Sequence, residues 1–173
     1  QLPGDRHHIY RNLVKNNWKT TQPFEIICTD TTLFRYQKAL YDLTLYIDAF
    51  NNEIISDDLA LSKQGSDPKN HHRALKKALE AKIKRGYTNL KTIFHSDQGV
   101  IYASQAFAHA YKDYNIEWSM SRAGTPTDNP KIESLNGWIK SELIHDFDMK
   151  DCKDIHKLIE EYVYYFNNER YAH

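Results

Sequence analysis

Between Glu25 and Leu61 three runs of β-branched and aromatic residues follow one another with no helical stretch between them. Such residues suit a pleated, half-buried surface, so Glu25–Tyr36 (EIICTDTTLFRY), Leu40–Phe50 and Glu53–Leu61 each predict a strand. Leu43, Leu45 and Ile47 alternate along the second run, which marks one of its faces as apolar. Asn51-Asn52 supplies a tight turn into the third. The first half of the chain therefore reads as a three-stranded antiparallel meander.

After Leu61 the period changes. Lys63–Lys69 (KQGSDPK) has the composition of a loop, and His72–Arg85 places Leu75, Leu79, Lys82 and Ile83 at helical spacing before Gly86 stops it. Lys91–His95 is a short apolar strand running into Ser96-Asp97-Gln98-Gly99. A helix from about Ser104 carries Phe107 and Tyr111, and Ile116–Met120 is a fifth strand. Arg122–Pro130 is a loop. The helix beginning at Lys131 bears the stripe Ile132, Leu135, Ile139, Leu143, and the last helix, Asp154–Asn167, bears Ile155, Leu158, Ile159, Tyr162 and Phe166. Residues 1–24 form a polar lead-in and 25–173 a single core without internal repeats. Strands first, then alternating helix and strand, specify an α/β fold with a mixed sheet flanked by helices.

Composition narrows the function less than the pattern does. A chain of 173 residues can bury a real core, and no run approaches the roughly 18 apolar residues of a membrane span. Cys28 and Cys152 match no metal-binding or redox spacing and read as thiols of a reducing compartment. Twenty-three basic residues balance 23 acidic ones, without the basic excess usual in nucleic-acid binders. A metal-dependent nuclease core is compatible with that balance, since its carboxylates offset its lysines. The opening QLPGDRHHIY has neither an initiator Met nor a signal pattern, which predicts an internal piece of a longer protein.

Three carboxylates stand where acids are locally awkward. Asp30 lies within a strand-like run, Asp97 follows the apolar pair Ile93-Phe94, and Glu133 falls in the first turn of a helix. Strand ends and helix starts are where α/β folds place reacting groups. Three carboxylates gathered together repel unless a cation lies among them, and oxygen-only ligation selects Mg²⁺ or Mn²⁺. Two such ions can activate an attacking oxygen and stabilise a leaving one in phosphoryl transfer. Each acid also has an ordinary explanation: an edge-strand residue, an Asx turn beside Gly99, and a favourable charge at a helix N-terminus.

Taken together, CTDTT around Asp30, FHSDQG around Asp97 and GTPTDNPKIESLNGWIKSE around Glu133 resemble the integrase-like transposase cores of bacterial insertion sequences, relatives of retroviral integrase. The resemblance runs from about Asn12 to the end. Thirty-five residues separate Asp97 from Glu133, the spacing of that family, and Lys140 matches its basic residue seven positions beyond the glutamate. The closing YYFNNERYAH is similar to the family's Tyr-Asn-x-x-Arg-Pro-His ending. Ile27 stands where Trp is frequent, and Ala172 where Pro is; neither is a metal ligand. The resemblance implies an RNase H-like fold with a central mixed five-stranded sheet. It also implies Asp30, Asp97 and Glu133 as catalytic metal ligands, with two Mg²⁺ or Mn²⁺ ions when DNA is bound. The implied chemistry is hydrolysis of a DNA end and attack of the freed 3′-hydroxyl, without a covalent protein intermediate. Transposon ends and target DNA would be the partners, in a homo-oligomer of the bacterial cytoplasm, associated with the nucleoid. The family's N-terminal helix-turn-helix region is not in this sequence.

Glu133, Asn136, Gly137 and Lys140 share one face of their helix, opposite the apolar stripe. Lys140 and Asn136 are therefore candidates to contact DNA, with Gly137 allowing close approach. Lys131 and Arg122 are candidates to neutralise phosphates. His95 either supports the site or is a structural strand-end residue. Asp128 reads as a helix cap and is left out of the metal set. His7-His8 and His71-His72 read as surface, Tyr162 to Phe166 as core and rim of the last helix. Arg170 either contacts DNA or closes the helix. Two rival functions share the fold or the acids: an RNase H-like hydrolytic nuclease, and a non-catalytic DNA-binding or oligomerisation module.

Overall fold

A computed structural model describes residues 10–62, 68–97, 109, 111–122 and 130–170, with the backbone alone for 68–70 and 130–132. Strand β1 (Ile26–Tyr36) turns through Gln37-Lys38 into β2 (Ala39–Asp48), and β2 turns into β3 (Ile54–Leu61). Both pairings are antiparallel, as the short turns between the strands require. Gln37 and Asn52 adopt positive φ (54° and 60°), the conformation that tight turns demand and that Asn tolerates. A bulge between Tyr46 and Ile47 leaves Ile55 as the extra residue of β3, with Tyr46 opposite Ser56 and Ile47 opposite Ile54.

Helix α1 (Pro68–Lys84) carries the chain over to β4 (Thr92–Ser96), which lies parallel to β1. A single 3₁₀ turn (Lys112–Tyr114) precedes β5 (Ile116–Met120), parallel to β4. The sheet order is β3-β2-β1-β4-β5, so the first strand of the chain is the central one. Helices α2 (Pro130–His145) and α3 (Ile155–Asn168) follow. The proposed helix near Ser104 and the loop after Arg122 lie outside the described residues, apart from His109, Tyr111 and the loop's ends.

The sheet is apolar on both sides. On one face Ile26, Cys28, Leu43, Leu45 and Ile47 pack against Leu135, Ile139 and Leu143 of α2 and Ile155, Leu158, Ile159, Tyr162 and Phe166 of α3. On the other, Ile27, Tyr46 and Phe94 pack against Ala74, Leu75, Ala78 and Leu79 of α1. Alternation along β1 sends its even-numbered residues to α2 and its odd ones to α1. Ile139 is 1% exposed and central to the α2 contact. Ile139→Ala is expected to cost about 2–4 kcal/mol in urea unfolding, the cost of a buried cavity; a loss below about 1 kcal/mol would mean that α2 is held by something other than this stripe.

Several sequence expectations need correction. Helix α1 begins at Pro68, four residues before the predicted start, because proline suits the first turn, where no helical N–H partner is required. Its inner stripe includes Ala74 and Ala78, whereas Ile83 is 46% exposed. Lys82 lies fully buried, with its Nζ donating to the carbonyls of Tyr114 (3.0 Å) and Asn115 (3.1 Å), and burial pushes its pKa down to about 8. His71, expected at the surface, is buried against Thr31, whose hydroxyl is 3.3 Å from Nε2.

The stretch before β1 contains turns and bends and lies on the sheet. The Leu13 N–H donates to Ser119 Oγ (2.8 Å), Val14 is buried, and the Trp18 ring meets His95 edge-on at 5.2 Å. Cys28 is buried and Cys152 half-buried, and neither is in a disulfide. Among the described residues no helix is long and apolar enough to cross a membrane.

Candidate active site

Because β1 and β4 run parallel at the centre of the sheet, their pairing determines what lies beside what. It ends at Cys28 opposite His95; two steps further, the same register sets Asp30 level with Asp97. Asp30 belongs to the even row of β1, after Ile26 and Cys28, so it emerges on the α2 face where the apolar packing gives out.

The two carboxylates are held differently. Asp30 is half-buried: its Oδ1 accepts from the Thr31 backbone N–H (2.8 Å) and its Oδ2 from Asn136 Nδ2 (2.6 Å). Burial, then the charge of Asp97, pushes its pKa up to about 6; the Thr31 hydrogen bond and Lys140 act in the opposite direction, and Glu133 adds a smaller upward push. Asp97 is exposed at the end of β4 and accepts from Ser121 Oγ at 2.8 Å. Ser121 follows β5 and extends its ladder by one bond, Ser121 N–H to Ser96 O at 3.0 Å.

Glu133 is exposed in the first turn of α2. It lines an open groove of about 320 Å³ with Asp30 through Leu33 on one side and Asn136, Gly137 and Lys140 on the other. The face of α2 predicted to present these residues is the one lining the groove, and the stripe Leu135, Ile139, Leu143 is buried behind it. Among the described residues no three acids, histidines or cysteines are close enough to hold a metal ion as they stand. Asp30 and Asp97 are neighbours; Glu133 lies across the groove, within electrostatic range of Asp30.

The remaining sequence candidates fall into four groups. Lys140 is exposed on the groove, and Arg122 is exposed just beyond Ser121. Asn136 turns its amide to Asp30, an intramolecular partner that the sequence could not name. The Lys131 side chain lies outside the described residues, as do Asp128 and His7-His8. His95 is 0% exposed, and its Nδ1 is 2.8 Å from Ser119 Oγ. The same hydroxyl accepts the Leu13 N–H. His95 is thus a buried link between β4, β5 and the segment before β1. Ser121 was missed because a serine after a strand carries no local signal of what it will meet 24 residues away.

This sheet and site can be compared with known proteins. Two integrase core domain models match, over residues 20–126 and 102–171. An uncharacterised transposase-like protein of Haemophilus influenzae is 34% identical over 167 residues, covering 96% of this chain and 74% of its own. The transposase for insertion sequence element IS904 of Lactococcus lactis is 25% identical over 160 residues, covering 92% of this chain and 60% of its own. This chain thus spans about three-fifths to three-quarters of these two relatives. In structure, the HTLV-2 integrase catalytic core domain in complex with magnesium superposes with a TM-score of 0.60 at 20% identity, over 86% of this chain and 89% of that one. Its likeness is one of fold, a mixed five-stranded sheet flanked by helices, which is the RNase H-like architecture. With a single model matching well over half of the sequence and the second continuing to Tyr171, the chain belongs to the integrase core domain family, alongside transposases of bacterial insertion sequences.

Proposed function

We infer that this chain is the catalytic core of a DNA transposase, a polynucleotidyl transferase in which Asp30, Asp97 and Glu133 hold divalent metal ions. The observation that carries the reading is the state of Asp30, a half-buried carboxyl beside Asp97 whose pKa is raised to about 6 by burial and by its acidic neighbours. A carboxylate in that position is electrostatically incomplete, and a cation relieves both causes at once. The donors are all oxygens, which fits Mg²⁺ or Mn²⁺ and not zinc. The structural relative that carries magnesium in its core supports the same choice.

In this reading Asp30, Asp97 and Glu133 would hold the ions, Glu133 from the far wall of the groove. Bound there, two such ions supply activation of an attacking oxygen and stabilisation of the leaving one. The chain's own groups do the rest. Ser121 and Thr31 hold Asp97 and Asp30 in orientation through their hydrogen bonds, and Lys140 presents a cation to the phosphodiester. Arg122, just beyond Ser121, and Lys131, in the first turn of α2, would neutralise neighbouring phosphates. No serine, cysteine or tyrosine nucleophile is required, since water and then the freed DNA 3′-hydroxyl would attack phosphorus directly, each displacing the 3′-oxygen of the phosphodiester it breaks. Transposon ends and target DNA are the substrates, in an assembly of several copies acting in the bacterial cytoplasm at the nucleoid.

The test is strand joining by the whole protein on a pre-cleaved transposon-end duplex with Mn²⁺. Joining supports the transposase; cleavage without joining points to a hydrolytic nuclease, and binding without either to a DNA-binding module. Gly137 gives an independent check on the DNA path. A Cβ added there meets nothing within 4 Å among the described residues, so DNA lying against this face of α2 would be what it crowds. Gly137→Ala should stabilise the helix by about 0.5–1 kcal/mol and yet weaken DNA binding several-fold. Unchanged DNA affinity, measured by fluorescence anisotropy, would remove the α2 backbone from the interface.

A further inference from the structure

The closing motif left Arg170 between two roles, contact with DNA and closure of the last helix. The structure gives it a third set of partners. Arg170 Nε donates to Glu142 Oε1 at 2.7 Å, and Tyr162 donates its hydroxyl to Glu142 Oε2 at 2.7 Å. Both oxygens of one α2 carboxylate are thereby taken by residues of the α3 segment. The Arg170 guanidinium also lies over the Trp138 ring (5.1 Å) and the Phe166 ring (5.2 Å). The side chains of Arg170 and Glu142 are only 18% and 17% exposed, so solvent screens this pair less than an ordinary surface one.

Trp138 and Glu142 are one helical turn apart on α2, the helix that carries Glu133. Leu135, Ile139 and Leu143, the buried row, also repeat every four residues and form a narrow line of attachment to the sheet. A helix seated on one such line can roll about it. At 3.6 residues per turn, the Trp138–Glu142 row lies on one flank of that line, roughly 160° around the axis from Glu133. A roll of about 20° would move a carboxylate held about 5–6 Å from the axis by about 2 Å. On the other flank, Asn136 ties α2 to Asp30, but that tie draws on a carboxylate that is itself part of the site. The Arg170 clamp does not.

We propose that Arg170, through Glu142 and Trp138, is a positioning residue that sets the roll of α2 and so the reach of Glu133 across the groove. This rests on the reading of Glu133 as a metal ligand. The closing motif of the sequence then serves the active site from the opposite side of α2, without touching DNA.

The experiment is a Mn²⁺ titration of the full chain without DNA, following free Mn²⁺ by electron paramagnetic resonance. Four proteins are compared: the parent, Arg170→Leu, Glu133→Gln and the double variant. Arg170→Leu should weaken Mn²⁺ binding about tenfold, the scale of an outer-shell substitution, and should add no loss in the Glu133→Gln background. Arg170→Lys, which keeps the charge beside Glu142 but not the planar stack, should recover part of the affinity. If Arg170→Leu does not melt cooperatively, Trp138→Leu takes its place, with the same pattern at smaller size. Equal losses in both backgrounds, or no loss where Glu133→Gln itself weakens binding, would overturn the clamp and leave the ligand reading standing. Unchanged Mn²⁺ affinity in Glu133→Gln would overturn the ligand reading of Glu133, and the clamp's role with it.

Discussion

Asp97→Asn is expected to abolish strand joining, lowering the rate by at least about 10³-fold, while leaving the fold intact. The size follows from what a shared metal ligand does: charge stabilisation worth several kcal/mol is lost, and about 4 kcal/mol is a factor of 10³ in rate. The intact fold follows from the geometry. Asp97 is exposed at the end of β4, and its one described hydrogen bond, from Ser121 Oγ to Oδ1 (2.8 Å), can be accepted equally by an asparagine oxygen. The substitution therefore removes a charge and little else. The assay pairs joining of a pre-cleaved transposon end with thermal melting of both proteins. Joining at the parental rate by a correctly folded variant would sink the assignment of Asp97, and with it the metal site.

The second large effect has the opposite sign in stability. Asp30→Asn should raise the melting temperature of the metal-free protein at pH 7.5 even as it removes activity. The Asp30 pKa stands at about 6 in the fold against an ordinary 3.8, so the folded chain holds that proton more tightly than the unfolded one does. The proton-linked stability is fully present below about pH 4 and is lost as pH rises through about 6. At pH 7.5 the ionised Asp30 thus works against the fold, by at most about 3 kcal/mol. Asparagine removes that charge but offers one acceptor where the carboxylate satisfies both Thr31 and Asn136, a loss of about 1 kcal/mol. The net gain should be about 1–2 kcal/mol, or roughly 3–6 °C in a domain of this size.

Two controls sharpen the result. Near pH 4 the gain should vanish, because Asp30 is then protonated in the parent as well. Added Mn²⁺ should raise the parent's melting temperature and leave that of Asp30→Asn nearly unmoved, since binding to the folded state alone stabilises it. A variant that melts at or below the parent at pH 7.5 would show that Asp30 is already compensated in the free protein.

The elements and the acids were legible for a common reason. Alternation at two residues and repetition at 3.6 are local, and they located all five strands and the buried rows of α2 and α3 within a few residues. The α1 start was misjudged because a loop composition, Gly-Ser-Asp-Pro, ran directly into a helix that proline could open. Of the α1 stripe, Leu75, Leu79 and Lys82 are buried as the spacing predicts and Ile83 is not, at 46% exposed; periodicity marks a helix face without saying how a long side chain on it ends. Lys82 has an apolar stem that packs inward, and its ammonium is met by two carbonyls from a 3₁₀ turn more than 30 residues away.

What the sequence determined by itself was therefore the mixed sheet, the order of its strands along the chain, the family likeness, and three acids, one within a strand, one at a strand's end and one at a helix start. Only the tertiary structure decided which of those acids are neighbours. Parallel pairing of β1 with β4 brings Asp30 level with Asp97, while Glu133 stands across a groove on a helix whose Trp138 lies under Arg170. Tertiary structure likewise turned Asn136 toward Asp30 and buried His95 and His71. The physical reason is the same in each case. A side chain's residue type and local period are written where it stands, but its partner comes from a segment 24 to more than 100 residues away, and only the packed sheet brings the two within hydrogen-bonding distance.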